Sequence, residues 1–164
     1  MKINSIDSKG SFVIKDKTKD LLTVIYEKWF SSQAKTDLNE TELIIKPKNI
    51  WQSKFDVLKG GIVKGDIVFT WKGDIVITLE DKIGKDNEWI IKTKGFWDYR
   101  FEVFNNSESL ILILKPEFNW KNFKYNYEIK ILEENLTENE ILELILYASF
   151  GVNLYKSKQD NMEI

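Results

Sequence analysis

Lys46, Lys48, Lys92 and Lys94 are the residues of this 164-residue chain whose type and spacing best suit chemistry, because each pair sets two ammonium groups on one face of an extended strand. With Lys54 and Arg100 they make a candidate basic patch, an arrangement that holds a phosphate or a phospholipid headgroup through charge-assisted hydrogen bonds. The patch requires their strands to lie on neighbouring parts of the fold. A plainer reading stays open: solvated lysines on an outer strand face, inherited together by duplication and discouraging edge pairing. Catalytic and metal chemistry has little to work with. Histidine and cysteine are both absent, which removes the commonest general base near neutral pH, the commonest transition-metal ligand, disulfides and thiolate sites. Glu80-Asp81 and Glu133-Glu134 are adjacent carboxylates, and Asp98 and Glu102 share an outer strand face, whereas glycoside hydrolysis needs two carboxyls flanking a cleft. The glycine- and lysine-bearing stretch GGIVKGD at 60–66 lacks the spacing of a phosphate-cradling P-loop. The expectation is a non-enzyme with no cofactor and no metal.

The lysines recur because the sequence does. Residues 43–58 (LIIKPKNIWQSKFDVL) and 89–104 (WIIKTKGFWDYRFEVF) align without a gap at an offset of 46, with seven identities. FTWKGD at 69–74 resembles FNWKNF at 118–123 at an offset of 49, so the repeat units run over about 43–81 and 89–132. Repetition at this period points to a fold built from repeated supersecondary units. Trp51 with Trp97, and Trp71 with Trp120, occupy equivalent positions and are expected as layers of a core. Stacking on single-stranded nucleic acid is the alternative use of such tryptophans, and the acidic balance argues against it.

Most of residues 10–132 alternates apolar and polar, the period of a half-buried strand. Trp97, Tyr99, Phe101 and Val103 form one inward face, Trp51, Ser53, Phe55 and Val57 its counterpart, and Phe123, Tyr125, Tyr127, Ile129 and Ile131 a third. The pattern predicts about ten strands, near 11–16, 20–27, 41–47, 52–59, 62–71, 74–81, 87–94, 97–105, 109–115 and 122–132. Gly60-Gly61, Lys72-Gly73, Lys121-Asn122, Gly84-Lys85-Asp86-Asn87 and Asn105-Asn106-Ser107 supply turns. Residues 29–38 fit least well, as a loop or a bulged strand. Thr137 and Glu140 then form a capping box that opens an apolar run, ILELILYASFGVNLY. At 100° per residue its apolar side chains surround the helix, so a helix over 137–155 has to be enclosed. It is too short to cross a bilayer, which takes about 20 apolar residues. The fold class that satisfies both halves is mainly β: a closed or nearly closed antiparallel barrel of about 10–12 strands, one domain over 1–164, enclosing the C-terminal helix. A curved open sheet with the helix across it is the alternative. The tail 156–164 is expected to fray.

A formal net charge of −2, from 24 basic and 26 acidic residues, gives no overall field for nucleic acid or an anionic membrane, so any such binding must be local. The first twenty residues lack the apolar core of a secretory signal, and the expected location is cytoplasmic.

The repeated IIKxKxxWxxxFxV pattern at 44–57 and 90–103, the FxWK turns and the final LILYASFGVNLY resemble the tubby-like barrels, the group that includes LURP-one-related proteins, phospholipid scramblases and the tubby C-terminal domain. The chain is most similar to the small bacterial members. The resemblance implies twelve antiparallel strands around a central hydrophobic helix. It also implies functions that divide: phosphoinositide headgroup binding by basic surface residues, action at membranes with calcium, and plant defence. No calcium loop of DxDxDG type is present. The reading that combines these features is a binding module recognising a protein or an anionic lipid or phosphate headgroup on the outer barrel surface. The alternative is an open barrel that carries an apolar small molecule, with the C-terminal helix as its lid.

Overall fold

Among the described residues twelve strands follow one another, at the upper end of the ten to twelve expected for the barrel and two more than the alternation located. They are β1 (Lys2–Ser5), β2 (Phe12–Asp16), β3 (Lys19–Tyr26), β4 (Ala34–Leu38), β5 (Thr41–Pro47), β6 (Lys54–Lys59), β7 (Ile62–Phe69), β8 (Ile75–Glu80), β9 (Asp86–Lys94), β10 (Arg100–Asn105), β11 (Leu110–Asn119) and β12 (Lys124–Ile131), followed by one helix, α1 (Glu138–Asp160). This computed structural model describes residues 1–27, 32–80, 84, 86–95, 97–121, 124–133 and 135–160. The expectations placed on residues 29–31, Asp81, Lys85, Asn122, Phe123, Glu134 and the last four residues fall outside them.

Each strand pairs antiparallel with its neighbours in sequence, and β1 closes the barrel on β12, with Lys2 opposite Glu128 and Ile3 opposite Tyr127. The two additional strands are β1 and β4. β1 (KINS) has Ile3 as its one large apolar residue, and β4 (AKTDL) turns Ala34 and Thr36 to the interior. Small and polar inward residues leave no alternation to read. The turn at Gly60-Gly61 falls where expected, joining Lys59 to Ile62.

The helix runs through the barrel. Thr137 and Glu140 make the capping box: the Thr137 amide donates to Glu140 Oε2 at 2.8 Å, and the Glu140 amide to Thr137 Oγ1 at 3.3 Å. Leu144 through Val152 are buried without a break, so no side of the helix meets water there. Their neighbours come from strands all round the wall. Phe150 stacks on Tyr26 of β3 and meets Phe55 of β6 edge-on, Tyr155 meets Phe101 of β10, and Gly151 lies against Ile75 of β8 and Ile91 of β9. Inward side chains such as Ile14, Val57, Ile67, Ile77 and Leu114 complete the core. Each such burial contributes about 1.5–3 kcal/mol, which is what threads an all-apolar segment inside. Glu143, the acid that interrupts the run, is neutralised by Lys59 of β6 and accepts a 2.6 Å hydrogen bond from the Tyr147 hydroxyl. The helix extends five residues beyond the predicted end at Tyr155, so Lys156 to Asp160 are helical and not a frayed tail.

At one point the wall admits no side chain. A Cβ on Gly65 in β7 would lie 2.1 Å from the Thr78 carbonyl oxygen of β8, opposite the irregularity between Val57 and Leu58 in β6. Backbone cannot yield there as a flexible side chain would. Gly65→Ala is expected to cost about 1–3 kcal/mol or more, read as a lower urea midpoint, whereas Gly60→Ala, with open space around it, carries only the backbone cost of its φ of +56° and so separates packing from conformation.

Candidate functional site

The even spacing of hairpins gives the barrel two unlike ends. Loops β1–β2, β3–β4, β5–β6, β7–β8, β9–β10 and β11–β12 lie at one end. The reverse connections and the entry to α1 lie at the other. All six predicted basic residues belong to the first end. Lys46, Lys48 and Lys54 flank the β5–β6 loop, and Lys92, Lys94 and Arg100 flank the β9–β10 loop. They do not form one patch. β5 and β9 are four strands apart in the barrel, about 19 Å around the wall at the usual strand spacing.

Several of these cations are also engaged by neighbours. Lys48 pairs with Asp56 at 3.2 Å, Lys54 with Asp66 at 2.7 Å, and Arg100 with Glu102 at 2.8 Å and Asp98 at 3.2 Å. The Asp66 carboxylate raises the Lys54 pKa, and Lys115, then Arg100, hold Asp98 below the usual carboxylate range. Lys92 sits 5.6 Å from the Phe104 ring centroid. Lys46 and Lys94 make no ion pair among the described residues.

The four repeated tryptophans correct the sequence reading. They are not core layers: Trp51 is 85% exposed, Trp71 91%, Trp97 95% and Trp120 78%. The alternation that predicts Trp97 and Trp51 inward continues past the strand, since β10 begins at Arg100 and β6 at Lys54. In the β5–β6 loop the Lys48 amide donates to the Lys54 carbonyl at 2.8 Å, which leaves Ile50 and Trp51 at the tip. In the β7–β8 turn the Thr70 amide donates to Asp74 at 2.9 Å, so three residues, Trp71-Lys72-Gly73, make the turn rather than two, with Gly73 at φ +87°. Gly95 at φ +78° turns the chain ahead of Trp97, where a Cβ would meet the Asp98 carbonyl at 2.2 Å. Trp120 packs edge-on against Phe118 with centroids 4.8 Å apart. The missed signal was adjacency: Trp71 precedes Lys72-Gly73, and Trp97 follows Gly95 by two.

Helix α1 ends among these loops. Lys158 Nζ donates to the Gln52 carbonyl at 2.6 Å, next to Trp51, and lies 4.7 Å from the Phe69 ring centroid; burial lowers its pKa. Lys156 Nζ lies 5.0 Å from the Tyr99 centroid and 4.9 Å from that of Tyr125. Both cations also suit the negative end of the helix dipole.

Each exposed tryptophan has a lysine within three residues: Lys48 before Trp51, Lys72 after Trp71, Lys94 before Trp97 and Lys121 after Trp120. At the opposite end acids outnumber bases among the described residues: Glu40, Asp86, Glu88, Glu108, Glu133, Glu138 and Glu140 lie in or beside its connections, against Lys17, Lys19 and Lys59. A cavity of about 250 Å³ opens there between Asn87, Trp89, Asn106 and Glu133, and Glu133 is engaged by the amides of Asn135. No cluster of His, Cys, Asp or Glu among the described residues is placed to hold a metal ion, and no described helix is long and apolar enough to cross a membrane. No family model, curated protein or solved structure matches the chain.

Proposed function

We propose that this chain is a non-enzymatic binding module that works from its outer surface, on an anionic lipid or phosphate headgroup or on a protein. The observation that carries the reading is the occupied interior. Residues 144–152 fill the space in which a barrel would hold a ligand, so recognition falls to the exterior. The same occupancy weighs against an apolar carrier with α1 as its lid, since α1 is core rather than cover. The cytoplasmic location and the kinship with tubby-like barrels belong to this proposal. They rest on sequence features, and a fold does not carry a function with it.

The basic residues flanking the β5–β6 and β9–β10 loops favour an anionic partner. Reversing Lys46, Lys48, Lys92 and Lys94 to glutamate is expected to weaken binding to anionic vesicles roughly a hundredfold or more, at about 1 kcal/mol for each lysine near such a surface. Co-sedimentation across a salt series measures it. Binding that ignores both the reversal and the salt overturns the headgroup reading.

A further inference from the structure

We propose that the tryptophan-bearing end of the barrel is a bilayer-docking face, on which the protein stands end-on with Trp51, Trp71, Trp97 and Trp120 seated at the headgroup boundary of an anionic membrane. The inference rests on the exterior, anion-directed reading above and specifies which surface acts and on what.

The geometry selects a flat partner. The four tryptophans occupy four consecutive hairpins of the ring, each two strands from the next, or about 9.5 Å apart along the rim. They stand at separate loop tips, with Ile50 beside Trp51 at 95% exposure. A single headgroup reaches one tip at a time, whereas a planar bilayer meets all four together. Tryptophan is the residue whose amphipathic ring favours the membrane–water boundary.

Charge selects the same partner and the same orientation. Lys72, Lys94 and Lys121 bring cations to the contact plane, where an anionic surface attracts them, while Lys48 beside Trp51 is shared with Asp56. Lys72 and Lys121 lie in the turns themselves, and Lys72 Nζ stands 5.4 Å from the Trp71 centroid. Asp98, the acid next to Trp97, is neutralised by Lys115 at 2.5 Å and by Arg100. The acidic opposite end is repelled by the same surface, so a chain with a net charge of −2 is still steered tip-first. Lys158 fastens the Trp51 loop to the end of α1, so the docking face is braced by the core.

The test uses the full chain with vesicles of phosphatidylcholine alone or mixed with phosphatidylglycerol, and the variant Trp51→Ala/Trp97→Ala. Both positions are exposed, and an unchanged melting curve confirms the variant's fold. The expected result is binding to the anionic vesicles, a blue shift of tryptophan emission, quenching by lipids brominated in the acyl chain, and about tenfold or greater loss of binding in the variant. Anionic vesicle binding with no blue shift, and unchanged in the variant, overturns end-on docking while leaving the headgroup reading standing. Absence of binding to either vesicle overturns both. A dimer in light scattering that the variant converts to monomer assigns the face to a second copy and overturns the membrane proposal.

Discussion

Phe150→Ala is expected to remove about 3–5 kcal/mol of unfolding free energy, the cost of deleting a fully buried aromatic side chain and leaving its space empty. Phe150 is fully buried at the centre of α1, stacked on Tyr26 at 6.0 Å and edge-on to Phe55 at 5.1 Å, and those rings belong to β3 and β6. Because the helix is held on all sides, neither wall can close onto the void without dragging its hydrogen-bonded neighbours. A domain of this size has about 5–15 kcal/mol of stability, so the variant loses a large fraction of it. Its melting temperature should fall by about 10 °C. Urea unfolding followed by circular dichroism measures both. A loss under about 1 kcal/mol would mean that the helix is not the core of the barrel, and the argument that recognition falls to the outside would go with it.

The enclosure of α1 was legible in the sequence for one reason: ILELILYASFGVNLY offers water no polar stripe, and a helix without one has to be surrounded. The strands with large inward residues, such as Phe55 and Val57 or Phe101 and Val103, were legible by the same logic. β1 was not, and β4 was legible only as a loop or a bulged strand within 29–38, because Ser5, Ala34 and Thr36 face inward and a small or polar residue on the inner face resembles one on the outer. Local periodicity also cannot tell where a strand stops. Trp97 and Trp51 sit in phase with their strands and lie beyond them, so the same evidence that located the strands misplaced the tips.

The candidate site divides along the same line. Sequence identified Lys46, Lys48, Lys54, Lys92, Lys94 and Arg100 as surface cations, and all six flank loops at one end of the barrel. Their separation into two groups depends on closure of the barrel through β6, β7 and β8, which no local pattern encodes. The duplication that suggested one patch instead made two stations on a rim. That change matters for the proposed docking: a single patch suits one phosphate, while stations spread around a rim suit a surface as broad as the barrel itself.

Raising the pH from 10 to 11 is expected to cost about 2 kcal/mol of stability through two buried phenols. Tyr26 is 7% exposed and Tyr147 fully buried, and burial raises both pKa values well above the ordinary value of 10; at Tyr147 the neighbouring Glu143 carboxylate adds to the rise. Below pH 10 both phenols are protonated in the folded and the unfolded chain, and stability does not depend on them. Above it the unfolded chain releases these protons and the folded one retains them, so each group costs about 1 kcal/mol between pH 10 and 11, the slope rising toward about 1.4 kcal/mol per pH unit as the unfolded phenol ionises fully. The loss continues until the folded pKa is reached. Tyr99, raised to about 12 mainly by burial, acts in the same direction but is part-exposed, and water screens its contribution. Deprotonation of surface lysines also weakens ion pairs in this range, and Tyr26→Phe separates the two causes: it keeps every lysine and should remove roughly half of the phenolic slope. Urea midpoints at pH 9, 10 and 11, with tyrosinate absorbance recorded alongside, make the measurement. Ionisation of all six tyrosines near pH 10 with the fold intact would show that Tyr26 and Tyr147 are open to water, which the closed, filled barrel does not allow.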